Sequence, residues 1–147
     1  MIEYTVKVYD DRTKWHRNGK LHREDGPAVE YANGSKYWYL DDKLHSEDGP
    51  AIEYANGYKA WYRNGKYHRE DGPAIEWSNG DKYWHRNGKL HREDGPAIEY
   101  ANGSKYWYLD DREYSESDYN KEMANRKNPC NGKIVEIEGK KYQLTAI

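Results

Sequence analysis

Apolar and polar residues alternate along this chain in short runs that recur every 23 residues. Trp15, Trp38, Trp61, Trp84 and Trp107 keep that step. So do the Gly-Pro-Ala triplets beginning at Gly26, Gly49, Gly72 and Gly95. Alternation over a few residues predicts half-exposed strands. In the second unit Ala51-Ile52-Glu53-Tyr54-Ala55 forms one arm and Tyr58-Lys59-Ala60-Trp61-Tyr62 the other, around Asn56-Gly57. Asn-Gly between two such runs predicts a hairpin with a type I′ turn. The same pair recurs at Asn33-Gly34, Asn79-Gly80 and Asn102-Gly103.

The connections between hairpins carry a second turn at Asn18-Gly19, Asp41-Asp42, Asn64-Gly65, Asn87-Gly88 and Asp110-Asp111. A third break follows at Glu-Asp-Gly-Pro, as in Glu47-Asp48-Gly49-Pro50. Proline there sits at the first residue of a strand, where its missing donor is tolerated. A degenerate unit, about residues 6–17, places Val6–Tyr9 before a turn at Asp10-Asp11. Counting this unit gives five hairpins, or about ten strands. A fixed period of this size means a stack of units, each too small to bury an apolar face alone. The expected fold is an all-β repeat: an elongated single-layer antiparallel sheet of successive hairpins over residues 1–111.

After Asp111 the repeat stops, and residues 112–147 read as a cap on the open sheet edge. Ser115 to Arg126 is compatible with a helix, N-capped by Ser115 or Ser117, with Tyr119 and Met123 on one face. Ile134 to Leu144 alternates around Glu138-Gly139 and predicts a final hairpin. Residues 15–42 and 84–111 are identical except for Val29 against Ile98. That identity reads as a duplication, or as matching surfaces offered to a symmetric partner.

A two-residue turn at Asn33-Gly34 pairs Ala32 with Ser35, Tyr31 with Lys36, Glu30 with Tyr37 and Val29 with Trp38. One face then collects Val29, Tyr31, Lys36, Trp38 and Leu40. The other collects Ala28, Glu30, Tyr37 and Tyr39. On this register the Trp face is the expected core and the Tyr face the expected binding surface, since Tyr is amphipathic and rigid. The candidate binding residues are Tyr37, Tyr39, Tyr58, Tyr62, Arg63, Tyr83, His85, Arg86, Tyr106 and Tyr108. Ala60 replaces the ring found at Tyr37, Tyr83 and Tyr106. Beside Tyr62, Arg63, His85 and Arg86 that gap predicts a mid-array pocket for an anion or an acidic partner.

Composition narrows the function. Apolar residues make up only 35% of the chain, yet it holds 16 Tyr and 6 Trp, which points to a thin core of stacked rings. The net charge of -2 gives no basic excess for general nucleic-acid binding or for an anionic membrane. Cys130 is the single cysteine, so no intrachain disulfide forms and a cytoplasmic location is expected. The first residues lack a signal-peptide core and no apolar run reaches spanning length. His22, His45, His68 and His91 stand one per repeat, two strand spacings of ~4.8 Å apart, too far for two to share a zinc ion. No nucleophile elbow, Walker loop, dinucleotide fingerprint or HExxH motif occurs. No cofactor and no catalytic residue are expected.

Trp61-Tyr62-Arg63-Asn64-Gly65-Lys66-Tyr67-His68 and Glu53-Tyr54-Ala55-Asn56-Gly57 resemble a MORN repeat. The resemblance covers residues 6–111. It departs in lacking the family's glycines beside Trp and in its Glu-Asp-Gly-Pro-Ala insertion. In these it is similar to variant repeats of bacteriophage and giant-virus proteins and of some bacterial antitoxin-like proteins. The resemblance implies a curved sheet of hairpins and a scaffolding or protein-binding role, often as a dimer. With a viral source it would imply an inhibitor or adaptor of a host defence protein in the host cytoplasm. The expected function is therefore a non-catalytic protein-binding module. A sponge for a nucleotide-like anion and a metal-dependent hydrolase are the alternatives.

Overall fold

The computed structural model describes residues 3–127 and 133–145. Cys130 lies outside the described residues. Eleven strands lie side by side in chain order in one antiparallel sheet. They are Thr5–Val8, Arg12–Arg17, Val29–Tyr31, Lys36–Tyr37, Ile52–Glu53, Lys59–Ala60, Ile75–Glu76, Lys82–Tyr83, Ile98–Glu99, Lys105–Leu109 and Arg112–Tyr114. Lys20–Leu21 adds a twelfth by pairing with the end of Arg12–Arg17. The expected sheet of successive hairpins is thus present.

Each connection is itself a small hairpin. Tyr39–Leu40 pairs with Lys43–Leu44, Tyr62–Arg63 with Lys66–Tyr67, and His85–Arg86 with Lys89–Leu90. A unit therefore folds twice, once in the long sheet and once beside it. The hinge is the Trp peptide: Trp38 N–H donates to the Ala51 carbonyl at 2.8 Å, while the Trp38 carbonyl accepts from His45 N–H at 3.1 Å. Ala28, Ala51, Ala74 and Ala97 are fully buried at this junction, which explains an invariant small residue after each proline.

The two sets of turns differ, and the difference reassigns the sheet faces. In the small hairpins both turn residues have positive φ, for example Asn18 at 50° and Gly19 at 79°. These are the type I′ turns. In the long sheet only the glycine is left-handed, Gly34 at 91°. Gly34 N–H bonds to Tyr31 O, and Tyr31 N–H bonds to Ser35 O. This is a three-residue loop with a glycine bulge. Asn33 Oδ1 accepts from Ser35 N–H at 2.9 Å and fixes this longer turn, as Asn56, Asn79 and Asn102 do in their units.

The extra loop residue shifts the register by one. Val29 pairs with Tyr37 and Glu30 with Lys36. A one-residue slip moves every side chain to the other face. The expected Val29–Trp38 pairing is corrected accordingly. One face carries Val29, Tyr31, Tyr37, Ile52 and their copies. The other carries Glu30, Lys36, Glu53, Lys59, Glu76, Lys82, Glu99 and Lys105, each acid paired across strands with a lysine.

The tryptophans of the 23-residue step, Trp15, Trp38, Trp61, Trp84 and Trp107, belong to the charged side. Arg23, Arg69 and Arg92 lie over Trp15, Trp61 and Trp84 with Cζ 4.0, 3.9 and 3.9 Å from the ring centroids. Each Arg also binds the Asp two residues on, the Pro carbonyl and the Glu seven residues on. For Arg69 these are Asp71 at 2.9 Å, the Pro73 carbonyl at 3.2 Å and Glu76 at 3.0 Å. The Arg-Glu-Asp-Gly-Pro motif is thus a loop wound around a guanidinium. Its glycine is needed for room: a Cβ on Gly72 would stand 2.9 Å from Arg69 Cζ. Ser46 and Ser115 occupy the corresponding position beside Trp38 and Trp107, and neither of those rings has an Arg above it.

Consecutive units are stapled through the histidines. Gly88 N–H donates to Tyr67 O at 2.8 Å, and Asn87 N–H donates to His68 Nδ1 at 3.1 Å. Both amides of one type I′ turn are thereby satisfied by the preceding unit. His22, His68 and His91 are buried, and their Nε2 atoms lie 3.1–3.4 Å from Glu24, Glu70 and Glu93.

The chain then turns into helix α1 (Glu116–Lys127). Ser115 is its N-cap, with Oγ accepting from Asp118 N–H at 3.1 Å. Ile134–Ile137 and Lys140–Gln143 form a separate two-stranded sheet outside the long one. Closure of the last edge accordingly falls to Arg112–Tyr114, paired on Lys105–Leu109, with α1 against both.

Candidate functional site

The register brings eight rings into one row. Tyr31, Tyr37, Tyr54, Tyr58, Trp77, Tyr83, Tyr100 and Tyr106 follow one another at centroid distances from 4.7 Å (Tyr58–Trp77) to 6.5 Å (Trp77–Tyr83). Tilted and edge-to-face pairs at such distances attract beyond their buried area. Val29, Ile52, Ile75 and Ile98 are the buried floor of this face. Tyr54, Trp77 and Tyr106 remain 39%, 46% and 41% exposed. Arg12 ends the row, with its guanidinium carbon 5.8 Å from the Tyr31 centroid.

The gap at Ala60 is closed. Ala60 is fully buried and Tyr58 is 7% exposed. Tyr58 stands two residues before Ala60, hence on the same face. Its ring takes the place in the row that Tyr37 and Tyr83 hold in their units, linking Tyr54 to Trp77. Tyr67, where the other units have Leu, packs against the same cluster. The expected mid-array pocket is therefore filled by two displaced rings.

The ten sequence candidates divide. Tyr37, Tyr58, Tyr83 and Tyr106 belong to the row. Tyr62 stacks on Tyr67 at 4.3 Å, and Tyr67 on His85 at 5.2 Å, in a shorter stack beside it. Tyr39 stands in the small hairpin paired with Leu44, and burial raises its phenol pKa. The Tyr108 hydroxyl donates to Glu113 at 3.2 Å. Arg63 and Arg86 line crevices on the Trp side and approach Glu70 at 3.4 Å and Glu93 at 3.3 Å. They do not join the tyrosines. The sequence reading missed Tyr31, Tyr54, Trp77 and Tyr100 as members of the row. A three-residue turn in place of the two-residue one would have found them.

Burial raises the phenol pKa of Tyr37, Tyr58, Tyr62 and Tyr83, and neighbouring hydroxyls add to it. Tyr83 is raised to about 12. An unfolded tyrosine ionises near pH 10. A folded pKa above the unfolded one means that the proton is held more tightly in the folded chain. The stability linked to it is whole below pH 10 and is lost as pH rises through the folded value. The expected result is a base-induced unfolding that begins above about pH 10. Tyrosinate absorbance and loss of the β circular-dichroism signal should develop together. Tyrosinate formation complete by pH 10 with the sheet intact would contradict it. Burial also lowers the pKa of His85, which favours the neutral ring.

The Trp side presents a second kind of feature. Crevices separate successive Arg-Glu-Asp-Gly-Pro loops. The first is about 700 Å³ and runs between the loop around Asp25 and the side chains of Trp38, Leu40 and Ser46. The next two are lined by Trp61 and Trp84, the rings that carry Arg69 and Arg92. The fourth, at Pro96 and Trp107, is lined on its far side by Tyr119, Asn120 and Met123 of α1. None of the four shares a residue with the ring row. Among the described residues no three His, Cys, Asp or Glu side chains gather as a metal site, and no helix is long and apolar enough to cross a membrane.

Comparison of the chain with protein-family models and with curated proteins returns no match, so the ring row and the crevices themselves carry the functional argument.

Proposed function

We propose that this protein is a non-catalytic interaction module that binds a protein partner across its aromatic row. The carrying observation is the asymmetry of the sheet. One face is an alternating Glu–Lys ladder. The other is an unbroken line of eight rings, three of them about two-fifths exposed. Charge-paired faces remain solvated, whereas exposed aromatic surface that is rigid and carries hydroxyls is the chemistry of recognition surfaces. The row is continuous even where the repeat changes, because Tyr58 replaces the ring absent at Ala60. Ring centroids at 4.7–6.5 Å hold each side chain against its neighbours, so little side-chain freedom is lost on binding. Given a viral source, the resemblance to variant MORN repeats makes a host protein the natural partner class.

The test replaces Tyr54, Trp77 and Tyr106 together with Ser and compares capture of host proteins with that of the parent. A control variant replaces Lys36, Lys59 and Lys82 on the opposite face. The ring variant should keep its β circular-dichroism spectrum and lose the captured protein, while the lysine variant retains it. Equal capture by the ring variant would remove the reading. A rise in melting temperature with a nucleotide panel would favour the small-anion alternative instead.

A further inference from the structure

The fourth crevice shows what its walls accept. Tyr119 of α1 is 4% exposed there. Its hydroxyl donates to the Arg92 carbonyl at 2.9 Å and accepts from Gly95 N–H at 3.2 Å. Trp107 forms a wall with no guanidinium over it, because position 115 is Ser. Arg126, seven residues and two helical turns after Tyr119, reaches Glu93 at 3.9 Å.

The first crevice repeats these features one by one. Arg23, Gly26, Glu24, Trp38 and Leu40 stand where Arg92, Gly95, Glu93, Trp107 and Leu109 stand, within stretches that differ only at Val29 against Ile98. Ser46 matches Ser115, so Trp38 also lacks the covering Arg that Trp15, Trp61 and Trp84 have. Among the described residues the Arg23 carbonyl and the Gly26 amide form no hydrogen bond. Their counterparts hold the Tyr119 hydroxyl. The chain thus has two matching sockets and one plug.

We infer that the Trp38 crevice is a docking socket for a tyrosine of a partner protein, seated as Tyr119 is seated in the crevice that Trp107 lines. The phenol ring enters the crevice that Trp38 lines. Its hydroxyl bridges the Arg23 carbonyl and the Gly26 amide, and a basic side chain of the same segment meets Glu24. A foreign segment is favoured over α1 of a second copy by counting. Moving α1 between copies vacates one socket for each it fills and gains no contact. The two middle crevices are not sockets of this kind, since Arg69 and Arg92 cover their tryptophans. This site is separate from the ring row and stands or falls independently of it.

The probe is a synthetic peptide of residues 115–127, added to the full chain with its own α1 in place. The readout is two-dimensional NMR of the tryptophan indoles and of the Gly26 amide. Saturable shifts at Trp38 and Gly26 are expected, with Trp61 and Trp84 unmoved. Replacing the peptide tyrosine with Phe should weaken binding several-fold. Ser46→Arg should supply the missing cover on Trp38, leave the fold intact and abolish the shifts. The idea is overturned if Trp38 does not move at saturating peptide, or if Ser46→Arg binds as well as the parent. It is also overturned if the peptide acts only at Trp107 by displacing α1. Concentration-dependent self-association without peptide, lost in Ser46→Arg, would identify a second copy as occupant and overturn the assignment to a foreign partner.

Discussion

Replacing Tyr58 with Ser, the residue found at Ser35 and Ser104, is expected to destabilise the middle of the array by about 3–5 kcal/mol, the range for losing a large buried aromatic. In two other units the position is polar, and Ser35 Oγ and Asp81 Oδ1 accept from the Ala55 and Ala101 amides. Here its ring is 7% exposed and packs with Ile52, Ala60 and Ile75. Ala60 has only a methyl group with which to refill the space. The converse change, Ala60→Tyr, adds a ring where Tyr58 and Tyr67 already fill the face, and overpacking of that kind costs about 1–3 kcal/mol or more. Combining Tyr58→Ser, Ala60→Tyr and Tyr67→Leu restores the composition of the unit that carries Ser35, Tyr37 and Leu44. That variant should recover most of the stability. Urea denaturation measures the totals, and the gap between the summed single effects and the combined effect measures the coupling. A stack of repeats can open locally, so hydrogen exchange at the Ile52 and Ile75 amides gives the local readout. Additive effects would mean that the three residues do not share one space.

Tyr119→Ala should release α1 from the end of the sheet. The ring is buried in the crevice that Pro96 and Trp107 also line, and its hydroxyl makes two backbone hydrogen bonds. The loss is about 3–5 kcal/mol for the ring and its contacts. Tyr119→Phe separates the two parts: it keeps the ring and loses about 1–3 kcal/mol, since the buried Arg92 carbonyl and Gly95 amide lose their partner. An undocked helix of this length is marginal in water. Helical circular dichroism should therefore fall in the alanine variant, and the α1 amides should exchange at unprotected rates. Retained protection of α1 would show that Ser115 capping and the contacts of Met123 suffice without the tyrosine.

The open Trp38 socket and the exposed ring row would give one small chain two recognition surfaces that share no residue. A partner held by both would gain from the second contact without new affinity at either, provided its segments span the two. The single substitutions described above act on one surface at a time and so separate their contributions.

The sequence by itself determined the repeat, its 23-residue step, the hairpins, the positions of all the turns and the terminal helix and hairpin, and it narrowed the helix N-cap to Ser115 or Ser117. Each of these rests on local chemistry: glycine and asparagine at turns, alternation in strands, a serine before a helix. The long sheet followed directly, because equal units with one apolar face each have to stack. What only the tertiary structure decided was which residues face together. Asn-Gly fits a two-residue type I′ turn and equally a three-residue turn with a glycine bulge, and both place Gly at positive φ. The choice shifts the strand pairing by one residue and exchanges the faces, and it is fixed by pairing with the neighbouring unit and by the Asn side chain gripping the amide two residues on. Likewise, Arg69 and Trp61 are eight residues apart and look unrelated until the loop closes around the guanidinium. Tyr58 fills the place of a ring missing at Ala60 only because side chains two apart on a strand point the same way. These are contacts between segments, and their energies depend on distances that no short stretch of chain contains.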